Sequence, residues 1–240
     1  MTSGRGMRVL SEAWEGLKRA DSILLAALLG VVLCVWAFVA VADQVIAGHT
    51  KDLDEQLMLR LRAGELSEPR GPFWLPGVMR DLTSLGSAPV LVLFVLAVAG
   101  SLVARRQYHA LALLLVATIG GHLLNDFLKE TFARPRPVAA LHLTEVRSLS
   151  FPSGHAMESA IIYLTLAALL ARLVRTRMLK LYFIGLAFFL TLVVGASRVY
   201  LGVHYPSDVL AGWTAGLAWS LLCWTAARYL QKRGAVEPER

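Results

Sequence analysis

Six apolar runs follow one another along this chain, at about residues 22–42, 88–104, 108–128, 155–173, 181–196 and 209–227, and they constrain its fold more than any other feature. A hydrocarbon core about 30 Å thick asks for about 20 consecutive apolar residues of a helix that crosses it, with every backbone N–H and C=O paired inside the segment. A chain of 240 residues that is 56% hydrophobic and 17% charged cannot hide six such runs in a soluble core. The expected fold is all-α, a six-transmembrane-helix bundle that forms one membrane-embedded domain over residues 1–240.

The net charge of +7 does not call for nucleic acid, because the basic residues cluster at the ends of the apolar runs and not along one face. Arg5, Arg8, Lys18 and Arg19 precede the first run, and Arg105 and Arg106 follow the second. Arg172, Arg175, Arg177 and Lys180 follow the fourth, and Arg228, Lys232 and Arg233 end the last. Six crossings put all of these on one side, which the positive-inside rule makes cytoplasmic, with residues 1–20 as a cytoplasmic tail. The loops at 43–87, 129–150 and 197–207 then face outward. Ala40-Val41-Ala42 resembles a signal-peptide cleavage site, but the run before it exceeds the about 7–15 residues of such a segment, so a retained helix is expected. Cys34 and Cys223 sit inside apolar runs with no His or Cys nearby, which predicts neither a disulfide nor a zinc site.

In the longest loop, Leu53, Leu57, Met58 and Leu61 recur at helical spacing among Asp52, Asp54, Glu55, Arg60 and Arg62, the pattern of a short amphipathic helix on a membrane surface. Pro69, Pro72 and Pro76 interrupt helical continuity after it, and Phe73-Trp74 suits an interfacial anchor. His122, Asn125 and Asp126 in the third run are expected to hydrogen-bond between helices or to lie at the interface. Gly212 and Gly216 form a G-x-x-x-G pair suited to close packing within the bundle.

Three polar blocks emerge on the outward face. The first holds Lys129, Arg134, Arg136 and Pro137; the second is Phe151-Pro152-Ser153-Gly154-His155; the third runs over 197–208 with Ser197, Arg198, His204 and Asp208. Lys supplies a compact cation and Arg a planar fork of donors, so several of them converging imply a multiply charged oxyanion, with phosphate as the obvious candidate. Ser153 and Gly154 lead into a helix, where free backbone N–H groups favour anions and glycine allows close approach. No carboxylate cluster fit for Mg²⁺ accompanies them, so no metal or other cofactor is expected. Two histidines can supply a nucleophile and an acid for the leaving oxygen. Asp208 stands four residues after His204 across Pro206 and can orient that imidazole, but the residue types alone leave open which histidine attacks.

These blocks resemble the signature of the type 2 phosphatidic acid phosphatase superfamily: K-x6-R-P at Lys129, Arg136 and Pro137, P-S-G-H at 152–155, and S-R-x5-H-x3-D at Ser197, Arg198, His204 and Asp208. Thr83-Ser84-Leu85-Gly86-Ser87 also resembles a stretch that bacterial members carry before the second span. The resemblance implies a six-span membrane bundle and metal-independent hydrolysis through a phosphohistidine. His204 would be the nucleophile, Asp208 its orienting carboxylate and His155 the general acid. Lys129, Arg136, Arg198, Ser153 and Gly154 would hold the phosphate, and Arg134, off the motif, is auxiliary. The implied partner is a membrane lipid phosphate or pyrophosphate, of the phosphatidic acid, phosphatidylglycerophosphate, undecaprenyl pyrophosphate or lipid A class, met at the outer face of a bacterial inner membrane. Alternatives are a lipid phosphotransferase using the same intermediate, and a non-catalytic lipid-binding or transport protein. Oligomeric state has no signature in the sequence.

Overall fold

The computed structural model describes residues 3–146 and 148–232, with side chains from Ser22 onward apart from Ala139. Arg233 and the side chains of Arg5, Arg8, Lys18 and Arg19 lie outside the described residues. The described chain is helical: α1 (Ser3–Ile46), α2 (Lys51–Leu59), α3 (Leu75–Ser84), α4 (Ala88–Ala104), α5 (Tyr108–Phe132), α6 (Gly154–Leu173), α7 (Arg177–Tyr200) and α8 (Pro206–Lys232), with a short 3-10 turn at Ala139–Leu141. Five stretches are long and apolar enough to cross a membrane: Ser22–Ile46 of α1, then α5, α6, α7 and α8.

The apolar run at 88–104 belongs to a bent pair of helices. α4 has 17 residues, and at a rise of about 1.5 Å per residue that falls short of the about 30 Å hydrocarbon core. α3 and α4 together are long and apolar enough to cross, with a bend of 43° between them, the geometry of a broken span or a re-entrant pair. The span expected at 88–104 is α4, the second helix of this bent pair. Pro89 explains the break, since its ring and missing N–H suit the first turn of α4 but not a helix interior. Gly86 in the bend packs so closely on Val194 and the His155 carbonyl that no side chain fits there. Pro76 likewise begins a helix, in the first turn of α3, and does not interrupt one.

α6 is the central helix, with Met157, Ile161 and Ser159 wholly enclosed. α8 lies against it so closely that a Cβ at Gly212 would stand 2.7 Å from the Ser153 carbonyl oxygen, and one at Gly216 2.6 Å from that of Met157. The G-x-x-x-G face is therefore occupied inside the protein. α1 packs on α8 at the edge, and its Leu25, Leu29, Val32 and Trp36 stay exposed, as residues facing acyl chains do.

Three helices run past the ends of their apolar stretches: α5 to Phe132, α7 to Tyr200, and α8 from Pro206. Polar side chains there find partners elsewhere in the chain, Lys129 in the Leu149 carbonyl, Arg198 in Thr83 and Asp208 in Ser150 and Arg134, so the backbone ladder continues. Lys129, Arg198 and Asp208 consequently stand on helical turns and not in loops. α2 is the short amphipathic helix: Asp54 and Met58 are buried against α8, while Leu53 and Leu59 are exposed. The loops at this end of the bundle are stapled by Arg62, which is 5% exposed. It donates to the carbonyls of Leu141 (2.7 Å), Leu66 (2.9 Å) and Tyr200 (3.2 Å). Gly202, at φ 76°, lies under the Leu141 carbonyl, where any side chain would collide.

Candidate active site

Pro206 opens α8, its fixed φ suiting a first helical position, and so sets Asp208 in the first turn. Asp208 is fully buried. Its carboxylate accepts from Ser150 Oγ (2.5 Å), Arg134 Nη1 (2.6 Å) and the Tyr205 N–H (2.9 Å). A buried charge with that many donors is compensated; one without them would be very costly. His204 Nδ1 lies 3.5 Å from the same carboxylate and 3.4 Å from Ser150 Oγ.

The other ring nitrogen fixes the tautomer. His204 Nε2 is 3.0 Å from Arg136 Nη1, and a guanidinium only donates, so Nε2 is the acceptor and Nδ1 carries the proton toward Asp208. Burial lowers the pKa of His204 from 6.5 to about 3, Arg136 and Arg198 push the same way, and Asp208 opposes them. The imidazole is therefore neutral near pH 7, with its lone pair on the nitrogen that faces the cations.

Three cations stand on that side. Lys129 Nζ donates to the Leu149 carbonyl at 2.8 Å. Arg136 donates to the Ser148 carbonyl (2.6 Å), the Ser148 hydroxyl (3.0 Å) and the Val203 carbonyl (2.7 Å). Arg198, 4% exposed, donates to Thr83 Oγ1 at 3.1 Å. Every one of these acceptors is uncharged. Arg198 Nε and Ser153 Oγ are buried without a hydrogen-bond partner among the described residues. His155, in the first turn of α6, is within electrostatic reach of Lys129, Arg136, Arg198 and His204. Gly154 beside it leaves no spare room: a Cβ would stand 3.2 Å from Asn125 Nδ2 and 3.5 Å from Lys129 Cε. A cavity of about 390 Å³ reaches the cluster and is lined by Asp126, Lys129, Glu130, Arg134, Pro135, Arg136, Ser148 and Leu149. A larger one of about 470 Å³ is formed by residues 142–146 alone and touches none of these groups.

The three sequence blocks thus meet, but Arg134 does not join the cations. It bridges Asp208 to Asp54, the latter at 3.0 Å, and lies over the Tyr205 ring at 4.3 Å. Burial pulls its pKa down, yet Asp208 and Asp54 outweigh burial and hold the guanidinium above its ordinary value. The three signature motifs omit Asp54, Asn125 and Ser150, while Thr83 opens the Thr83–Ser87 stretch that also resembles the family. A signal for Asp54 existed, since an acid sharing a helix face with Met58 and Leu61 stands where an apolar residue belongs. His122 bridges α5 and α6, with Nδ1 2.9 Å from Glu158 and Nε2 3.6 Å from Asp126. Asn125 is buried beside Gly154.

A neutral imidazole backed by a carboxylate and fronted by cations, at one end of a multi-span bundle, defines an integral membrane phosphatase. The sequence model of the PAP2 superfamily matches residues 110–232, and this chain belongs to that superfamily. Phosphatidylglycerophosphatase B of Bacillus subtilis is 40% identical over 147 residues, 60% of this chain and 71% of the relative. Lipid A 4'-phosphatase of Rhizobium etli is 30% identical over 149 residues, 55% of either protein. The crystal structure of the transmembrane PAP2-type phosphatidylglycerolphosphate phosphatase of Bacillus subtilis superposes with a TM-score of 0.71 at 33% identity, over 81% of this chain and 94% of that one. LpxE of Aquifex aeolicus shares the fold, with a TM-score of 0.55 at 24% identity over 72% of this chain and 94% of that one.

Proposed function

We propose that this protein hydrolyses a lipid phosphate through a phosphohistidine on His204, at the outward face of a bacterial inner membrane, with phosphatidylglycerophosphate as the first substrate to test. The observation that carries this is the orientation of His204, Nδ1–H toward Asp208 and Nε2 against Arg136, with Arg198 within electrostatic reach of the ring and Lys129 within reach of Arg136. The Nε2 lone pair forms a bond to phosphorus while the bond from phosphorus to the lipid oxygen breaks, and that oxygen takes its proton from His155. The three cations, with Ser153 and the N–H groups that open α6 at Gly154, hold the charge on the phosphoryl oxygens. Asp208 holds the Nδ1 proton and balances the positive imidazole of the intermediate. Water then attacks phosphorus, His155 takes the water's proton, the phosphorus–nitrogen bond breaks, and inorganic phosphate leaves. Arg134 is auxiliary, acting through Asp208.

The preference for phosphatidylglycerophosphate follows the 40% identical relative, and the outward orientation follows the basic cytoplasmic segments. Purified protein in detergent, given phosphatidylglycerophosphate, phosphatidic acid, undecaprenyl pyrophosphate and a lipid A phosphate side by side, is expected to release inorganic phosphate with the highest kcat/KM on the first. His204→Ala is expected to release none above background. Turnover by His204→Ala at the wild-type rate would overturn the assignment.

A further inference from the structure

Arg134 is shared between two carboxylates, and one of them comes from outside the matched region. The family match begins at residue 110, and Asp54 lies on α2, in the loop between the first two crossings. Asp54 is 2% exposed. Its Oδ2 accepts from Arg134 Nη2 at 3.0 Å and from Ser207 Oγ at 2.5 Å, and its Oδ1 accepts from the Ser207 N–H at 3.0 Å. The other amino group of Arg134 donates to Asp208 Oδ1 at 2.6 Å and to Ser207 Oγ at 2.8 Å. The chain of contacts therefore runs Asp54, Arg134, Asp208, His204.

We propose that Asp54 is a positioning residue for the phosphoryl-accepting histidine. It holds the first turn of α8 from outside that helix, through Ser207, and it divides the charge of Arg134 so that Asp208 keeps its own. A guanidinium paired with Asp208 alone would neutralise the carboxylate that must balance the charge on the His204 ring. With a second carboxylate on the far side of the fork, the four groups carry one net negative charge, and it rests beside the imidazole. An acid buried on the inner face of α2 is costly unless its donors are fixed, and here all of them belong to this one network. The inference rests on the phosphohistidine reading and makes the loop ahead of the matched region part of the site.

The test compares kcat and KM on one lipid phosphate, normalised to folded protein, for wild type, His204→Ala, Asp54→Asn, Arg134→Gln, the Asp54→Asn/Arg134→Gln pair and Leu53→Ala. Loss of an outer partner of a functional imidazole costs about 10–100-fold at metal sites, and Asp54→Asn is expected to lose kcat on that scale while KM stays within about threefold. The pair is expected to be no worse than its weaker single variant, since both act along one path. Leu53→Ala, on the exposed face of the same helix, is expected to match wild type. Where Asp54→Asn fails to fold, Asp54→Ser, which keeps an acceptor and removes the charge, takes its place. An inactive His204→Ala beside an Asp54 variant with wild-type kcat, or with losses that multiply those of Arg134→Gln, overturns this inference alone. An active His204→Ala overturns the reading beneath it.

Discussion

Both sides of the His204 ring carry an arginine, and the two arginines are engaged in opposite ways. On the Nε2 side, Lys129, Arg136 and Arg198 are tethered by main-chain carbonyls and hydroxyls, which orient a cation without cancelling its charge. On the Nδ1 side, Arg134 is engaged by Asp54 and Asp208 and its charge is neutralised in place. Arg134 and Arg136 are separated by a single proline, so neighbourhood in the chain says nothing about which side either serves. The charge of an arginine's partners decides whether its own charge stays available.

Exchanging charge on the Nδ1 side is expected to have the largest effect. Asp208→Asn keeps the shape but presents an amide to Nδ1–H, and by analogy with the triad carboxylate kcat should fall about 10⁴-fold with KM little changed. Retention of more than a tenth of wild-type kcat would mean that the carboxylate does not orient the ring. Next, Arg136→Gln should lower kcat/KM about 10²–10³-fold, as removal of one preorganised donor does. The comparison sharpens if inorganic phosphate, as product inhibitor, binds more weakly to Arg136→Gln but not to Arg134→Gln; equal weakening in both would erase the distinction between the two sides.

The smallest effect is one of stability. In the folded protein the pKa of His204 is held at about 3, against 6.5 ordinarily. Between those values the unfolded chain binds a proton that the folded one refuses, so stability is complete above pH 6.5 and declines as pH falls toward 3. The decline approaches about 1.4 kcal/mol per pH unit for one proton. Thermal midpoints of wild type and His204→Gln in detergent from pH 7 to 4.5 should show the steeper fall in wild type; parallel curves would contradict a buried neutral imidazole.

What was legible in the sequence was what local pattern can carry. Apolar runs announce crossings because the bilayer demands length and purity, and the three polar blocks are short because each is local to a helix end: the first leaves the last turn of α5, the second opens α6, and the third joins the end of α7 to the start of α8. The bend between α3 and α4 was not legible, since Pro89 reads alike as the start of a span and as the start of the second helix of a bent pair. The overrun of α5, α7 and α8 was hidden because the polar residues that extend them are stabilised by partners distant in the chain, Lys129 by the Leu149 carbonyl, Arg198 by Thr83 and Asp208 by Ser150 and Arg134. Asp54 pairs with Ser207 across 153 residues, and Arg198 with Thr83 across 115, distances over which no spacing rule operates.

The central claim is a covalent bond between phosphorus and His204. Wild-type protein mixed with radiolabelled lipid phosphate and quenched within a single turnover should carry acid-labile, base-stable phosphate that peptide mass spectrometry locates on His204. His204→Ala should carry none. Label on another residue, or full turnover with no phosphoenzyme under conditions where its hydrolysis is slowed, would contradict the account.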